Sequence, residues 1–296
     1  MKRVFITGAL GQLLRTLTGL LKENHDCLLY LTDSVPDEKN VVKKLDITDE
    51  ASVKAEISAF RPDVIVNCAA MTAVDLCETE QEKAYNINAL GPKYIAEAAN
   101  EINAKLFHIS TDYVYDGQAD TPYVEESRPN PISVYGRTKL AGDYYVMGCC
   151  PDAVILHTSG LYGEGKNFVK TMLRLADEGK SIRVVADQFV TPTSALELAR
   201  VIVFLMNTDC RGKYHATCEG STSWYGFACK IFELTGRDVR IDAISTPEYP
   251  APAKRPPYSV LDNKKLRELH GYYMKDWADA LKEYLDGIER YRCHEI

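Results

Sequence analysis

Residues 2–14 read Lys2-Arg3-Val4-Phe5-Ile6-Thr7-Gly8-Ala9-Leu10-Gly11-Gln12-Leu13-Leu14. Residues 3–7 form a β-rich run, and a helical pattern follows over 12–23. Between them sits Gly8-x-x-Gly11. A strand that feeds a glycine turn into a helix N-terminus makes an anion site. Backbone N–H groups point outward there, and the helix dipole adds partial positive charge. Glycine lets the backbone approach a pyrophosphate with no Cβ in the way. A bare Gly-x-x-Gly can also be a plain turn. Its place between strand and helix favours a dinucleotide loop.

The alternation continues outward from that loop. Further strands are expected at 27–32, 64–67, 106–110 and 153–157. Helices are expected at 53–60 and 81–103, the latter with a boundary or kink at Gly91-Pro92. Repeated βαβ units predict an α/β fold, a Rossmann-type doubly wound parallel sheet. The second half is less regular. Helices are expected at 167–178, 194–206, 223–234 and 277–288, with a proline-rich loop at 247–257. This divides the chain into a cofactor domain over 1–160 and a smaller α/β substrate domain over 161–296. The first is expected to borrow a strand and a helix from about 181–206.

Composition removes several function classes. The chain has 296 residues, with 35 Lys plus Arg against 42 Asp plus Glu, a net charge of −7. Nucleic-acid binding calls for clustered cations, so it is not expected. The apolar stretches fall far short of the ~20 residues that span a bilayer. The N-terminus lacks the pattern of a signal peptide. Nine cysteines, Cys149 and Cys150 adjacent and the other seven scattered, none in Cys-x-x-Cys, read as reduced thiols in a cytoplasmic protein. His108, His157 and His215 fall in apolar segments and read as core residues. No cluster has metal-ligand spacing.

Tyr135-Gly136-Arg137-Thr138-Lys139 is the most informative local motif. Tyr and Lys four apart share one helix face. A nearby cation lowers the pKa of a phenol, which can then pass a proton to a carbonyl oxygen as hydride reaches carbon. Ser110-Thr111-Asp112 ends a strand, where open α/β sheets bind ligands. A hydroxyl there can polarise a substrate carbonyl. Asp33, at the end of the second strand, can accept from adenine-ribose hydroxyls. It leans the preference toward NAD over NADP.

Together, Gly8–Gly11, Asn67-Cys68-Ala69-Ala70, Ser110–Gly117 and Tyr135–Lys139 resemble the extended short-chain dehydrogenase/reductases. Leu45-Asp46-Ile47-Thr48, Thr72-Ala73-Val74-Asp75, Asn167-Phe168-Val169-Lys170, Asp187-Gln188, Pro192-Thr193, Tyr214-His215 and Arg255-Pro256 narrow the resemblance to the dTDP-4-dehydrorhamnose reductase family. It runs nearly end to end. It implies reduction of the 4-keto group of a nucleotide sugar, dTDP-4-dehydro-L-rhamnose to dTDP-L-rhamnose, by NADH or NADPH. Tyr135 would be the general acid, Lys139 would hold the nicotinamide ribose and tune Tyr135, and Thr111 would bond the keto oxygen beside Asp112. Gly8, Gly11, Gln12 and Leu13 would line the pyrophosphate. Asp46 and Ile47 would lie near adenine, and Ala69 and Ala70 along the cofactor. Val74, Asn167, Gln188 and Arg255 would serve the sugar-nucleotide side, Arg255 as a diphosphate clamp. The family leaves open magnesium at an oligomer contact and a homodimer.

The chain departs from that family at three positions. Leu14 stands where a third loop glycine is usual, and is expected to widen helix–strand packing and alter cofactor binding. Gly160 replaces a Trp that packs on the deoxysugar, and Val190 stands where glycine is common. Tyr113, where dehydratases carry Glu, disfavours that reaction. A nucleotide-sugar epimerase and a non-catalytic NAD(P)-binding regulatory module remain as alternatives.

Overall fold

The computed structural model describes residues 1–23 and 27–294. His25 lies outside the described residues, as do the last two residues of the expected 161–296 domain. The strands of the first half are β1 (Lys2–Thr7), β2 (Cys27–Asp33), β3 (Val42–Lys44), β4 (Val64–Asn67), β5 (Lys105–Thr111) and β6 (Val154–Thr158). The helices are α1 (Gln12–Glu23), α2 (Glu50–Phe60), α3 (Val74–Thr79), α4 (Gln81–Tyr85), α5 (Gly91–Glu101) and α6 (Val134–Cys149). The main sheet is parallel throughout. Its order is β3-β2-β1-β4-β5-β6, with Gly212–His215 added outside β6. The order reverses between β1 and β4, which opens a crevice at the carboxyl ends of the strands.

The strand and helix expected from 181–206 part company. Helix α8 (Ala195–Leu205) does join the cofactor half, and its Leu198, Val201 and Ile202 share one buried cluster with Leu13, Leu14 and Leu17 of α1. Ile182–Val185 instead pairs with Ile241–Ile244 in a separate two-stranded sheet. The seventh strand of the main sheet comes from Gly212–His215. Alternating burial marks a strand but does not say which edge it will join.

The helix over 81–103 is broken where Gly91-Pro92 predicts, by a wider turn. Asn86–Leu90 is a π-turn between α4 and α5. Proline lacks the N–H that would continue the ladder, and the extra residue absorbs the mismatch. The turn buries Asn88, whose Oδ1 accepts from the Met71 N–H at 2.8 Å and whose Nδ2 donates to Thr138 Oγ1 at 3.2 Å. It thereby ties α6 to the segment after β4.

The remaining helices are α7 (Phe168–Asp177), α9 (Trp224–Leu234), α10 (Lys264–His270) and α11 (Trp277–His294). Side-chain caps set their starts. Asn167 accepts from the Lys170 N–H, and Ser223 from the Gly226 N–H. Gly179 and Gly236 lie just past the ends of α7 and α9 with positive φ. Helices α7, α9 and α11 enclose a second core around Phe227 and Leu281. Among the described residues no helix is long and apolar enough to cross a membrane.

Leu14 does not hold the glycine loop open. It is fully buried in the α1–α8 core, and the loop keeps its Gly11 N–H to Gly8 carbonyl bond at 2.9 Å. Val190 is buried as well, paired with Thr222.

Candidate active site

A cavity of about 890 Å³ follows the carboxyl edge of the sheet. Its wall runs from Asp33 and Asp46, after β2 and β3, to Thr111 and Ser159, after β5 and β6. Gly8, Gly11, Gln12 and Leu13 line it, as do Ile47, Ala69, Ala70 and Val74.

The loop has the close approach a pyrophosphate needs. Gly8 has φ +73°, and a Cβ there would stand 2.8 Å from the Ala69 nitrogen. Gly8→Ala is therefore expected to cost about 1–3 kcal/mol of stability, read by denaturant unfolding. It should also weaken NADPH binding measured by fluorescence. Gln12 Oε1 is buried and without a partner, a free acceptor beside the same loop. These features fit a dinucleotide. The loop and the α1 N-terminus would hold its phosphates.

Asp33 Oδ2 accepts from the Leu10 N–H at 3.0 Å, fastening the loop to the end of β2. Asp46 is exposed and accepts from the Thr48 N–H and hydroxyl. Arg15 and Lys83 also line the cavity, so cations stand among its carboxylates. Sequence reasoning passed over both, because a lone surface Arg or Lys carries no pattern.

Helix α6 borders the cavity through Tyr135 and Lys139. Ser133 caps it, accepting from the Gly136 N–H at 3.1 Å. Gly136 packs against the turn after β5, where a Cβ would lie 2.1 Å from the Tyr113 carbonyl oxygen. That contact sets Tyr135 beside Thr111. Burial raises the Tyr135 phenol above its ordinary value, and a hydrogen bond with Thr111 acts in the opposite direction. The Thr111 hydroxyl donates to Asp112 Oδ1 at 3.0 Å and accepts from the Tyr113 N–H at 3.2 Å. Asp112 Oδ2 accepts from Ser159 at 2.8 Å. Burial lifts the Asp112 carboxyl, and the bonds from Ser159 and Thr111 only partly offset it. Ser110 turns away from this group and donates to Asp143.

The Lys139 ammonium donates to the Ile109 carbonyl at 2.7 Å. Burial brings it down to about 8, although the nearby Asp143 and Cys68 raise it.

The proposed sugar-nucleotide residues divide. Val74 lines the cavity. Asn167 caps α7, and its Nδ2 donates to the Gly163 carbonyl at 2.5 Å and to the Tyr284 hydroxyl at 3.1 Å. Gln188 is buried, donating to Thr246 Oγ1 at 3.0 Å. Neither side chain belongs to the cavity wall. Arg255 pairs with Asp75 at 2.9 Å beside the cavity-lining Tyr113. Lys166 lines the cavity directly.

Gly160 has φ +53°, and a Cβ would meet the Pro192 Cα at 3.2 Å. A bulky residue is strained in that backbone. The cavity is nonetheless lined by aromatic rings from the second half, Phe168 and Trp224, 4.9 Å apart. In sequence Phe168 enters only within the Asn167–Lys170 stretch and Trp224 not at all, since an aromatic at helical spacing reads as core.

His108 and His215 are buried with both ring nitrogens near polar partners, and the Nδ1 of His157 has none. Among the described residues no group of three or more His, Cys, Asp or Glu side chains is placed to hold a metal ion.

The RmlD substrate binding domain family matches residues 1–290. The dTDP-4-dehydrorhamnose reductase of Aggregatibacter actinomycetemcomitans is 41% identical over 295 residues, covering 95% of this chain and 98% of that one. The crystal structure of a dTDP-4-dehydrorhamnose reductase from Clostridium acetobutylicum superposes with a TM-score of 0.91 at 44% identity, over 97% of this chain and 99% of that one. The dTDP-4-dehydrorhamnose reductase of Bacillus anthracis, crystallised with NADP, gives a TM-score of 0.89 at 40% identity, over the same shares. A loop shaped for a dinucleotide, a Tyr–Lys helix beside a strand-end threonine and similarity along nearly the whole chain agree: the chain belongs to the RmlD family of dTDP-4-dehydrorhamnose reductases and is an NAD(P)-dependent oxidoreductase.

Proposed function

We propose that the protein reduces the 4-keto group of dTDP-4-dehydro-L-rhamnose to give dTDP-L-rhamnose. The observation that carries this reading is that Thr111, Tyr135 and Lys139 border one cavity, which continues to the glycine loop. Bound NADPH or NADH supplies hydride. The chain's own groups handle the oxygen. With its pKa raised, the Tyr135 phenol keeps its proton at neutral pH and enters as the acid. Thr111 is a donor to the keto oxygen once its hydroxyl turns from Asp112, and Asp112 keeps its bond from Ser159. A carbonyl bonded by both hydroxyls is polarised before hydride arrives.

Arg15 and Lys83 support NADPH alongside NADH, since a 2′-phosphate would meet cations as well as Asp33. Phe168 and Trp224 offer apolar faces to a deoxysugar or a base. Val74 belongs to this side of the reading, and Arg255 reaches the diphosphate only by exchanging its Asp75 partner. Asn167 and Gln188 support the site by holding the loops that frame it.

The test is NADPH oxidation by the purified chain with freshly prepared keto sugar. Cofactor should be consumed mole for mole with dTDP-rhamnose formed. Turnover on trace cofactor would instead mark an epimerase. A chain that binds NADPH yet leaves the fresh keto sugar unreduced would end the reading.

A further inference from the structure

Tyr135 and Lys139 are four residues apart on α6, and four further along the same face stands Asp143. It is buried, 3% exposed, and a buried carboxylate needs a reason. Ser110 donates to its Oδ2 at 2.9 Å, and His157 Nε2 donates to the same atom at 2.9 Å. Its Oδ1 is buried and makes no hydrogen bond. That oxygen lies 3.6 Å from His108 Nε2, and Lys139 Nζ lies 3.4 Å from the same ring nitrogen.

The tautomer follows from the far side of the ring. Thr7 donates to Asn67 Oδ1 at 2.7 Å, which leaves Asn67 Nδ2 to donate to His108 Nδ1 at 3.0 Å. The proton of a neutral His108 is then on Nε2, between the carboxylate and the ammonium. Burial keeps that ring neutral, and the Lys139 charge adds to the effect. The imidazole therefore spaces the two charges without neutralising either.

From the elements packed around it, Lys139 faces Asp143 on its own helix, His108 on β5 and Cys68 after β4. Asp143 faces His108 and Ser110 on β5, His157 on β6, Lys213 on the seventh strand, and Tyr115. Among the described residues Asp143 is the one carboxylate that acts on Lys139. A buried ammonium with no counter-charge is expensive.

We propose that Asp143, braced by Ser110 and His157 and spaced by His108, is a positioning residue for the reduction: it is the counter-charge that keeps the Lys139 ammonium ionised and seated at the cavity. The link to reduction rests on the function proposed above; the charge coupling does not. Burial alone would raise Asp143. The hydrogen bond from His157 and the charge of Lys139 act against burial, and the carboxyl is held below its usual range. It is therefore ionised wherever Lys139 titrates.

The experiment is a pH titration of the full chain labelled with ε-13C-lysine, with the Lys139 signal assigned by its loss in Lys139→Met. In Asp143→Asn the Lys139 midpoint should fall by about one to two pH units. Asp143→Glu should recover most of that fall. An unchanged midpoint in Asp143→Asn overturns the proposal. If the Asn variant does not fold, the wild-type Asp143 carboxyl carbon is followed instead. It should show a step at the Lys139 midpoint, and no step overturns the proposal.

The pH profile of kcat/KM with NADPH and the keto sugar is measured alongside. Activity that needs charged Lys139 is full below its pKa and lost as pH rises through it. That loss should move to lower pH in Asp143→Asn, whereas a merely structural defect lowers the whole profile evenly. A moved lysine midpoint in a chain that leaves the keto sugar unreduced would sink the function and support the charge coupling. Reduction by the wild type with an unmoved midpoint would do the reverse.

Discussion

Tyr135→Phe should lower kcat by about 10²- to 10⁴-fold, the span a general acid supplies, while leaving NADPH affinity close to wild type. The substitution removes one oxygen and keeps the ring. The phenol borders the cavity beside Thr111, and its edge-on packing against Tyr113, with centroids 5.6 Å apart, survives in phenylalanine. The glycine loop lies on the other side of the sheet's switch point and is not touched. Burial keeps the phenol protonated, so what is lost is a proton donor. Single-turnover rates and a fluorescence titration of NADPH separate the two quantities. A phenylalanine variant at full speed would show that the proton comes from another group.

Gly136→Ala should do comparable damage by a different route. A methyl at that position would sit 2.1 Å from the Tyr113 carbonyl oxygen and 3.0 Å from the Pro131 Cβ. Backbone cannot move aside as a side-chain tip can, so α6 must retreat from the turn after β5. Overpacking of this kind costs about 1–3 kcal/mol. The retreat also carries Tyr135 away from Thr111. A misplacement of about 1 Å at a reacting centre can cost about 10²-fold in rate. Gly148, near the end of the same helix, has nothing within 4 Å of its would-be Cβ. Gly148→Ala should therefore be neutral, or stabilise by up to about 1 kcal/mol through helix propensity. Urea unfolding and kcat on the two variants form a matched pair. Equal stability losses would show that the Tyr113 contact does not set the helix.

These variants mark where local and distant information meet. The spacing of Tyr135 and Lys139 is visible in sequence because a helix repeats every 3.6 residues. The same repeat extends to Asp143, but a charged residue one turn further on an amphipathic helix reads as solvated face. Its meaning depends on His108 and His157, which arrive from two other strands. Arg255 is similar. Its residue type predicts a diphosphate clamp, whereas the fold brings it to Asp75, 180 positions away.

What the sequence determined by itself is the part governed by neighbours along the chain. Alternating strands and helices, the glycine loop after β1 and the Tyr–Lys face all follow from periodicity and backbone sterics within a few residues. Only the tertiary structure decided which strand completes the sheet, how Leu14 is absorbed between α1 and α8, and which aromatics line the cavity. It also decided that the Thr111 proton points to Asp112 and that Lys139 shares a buried site with a carboxylate. Those outcomes depend on distant segments being driven together by burial. Once water is excluded, each polar group must settle with whatever partner the packing supplies.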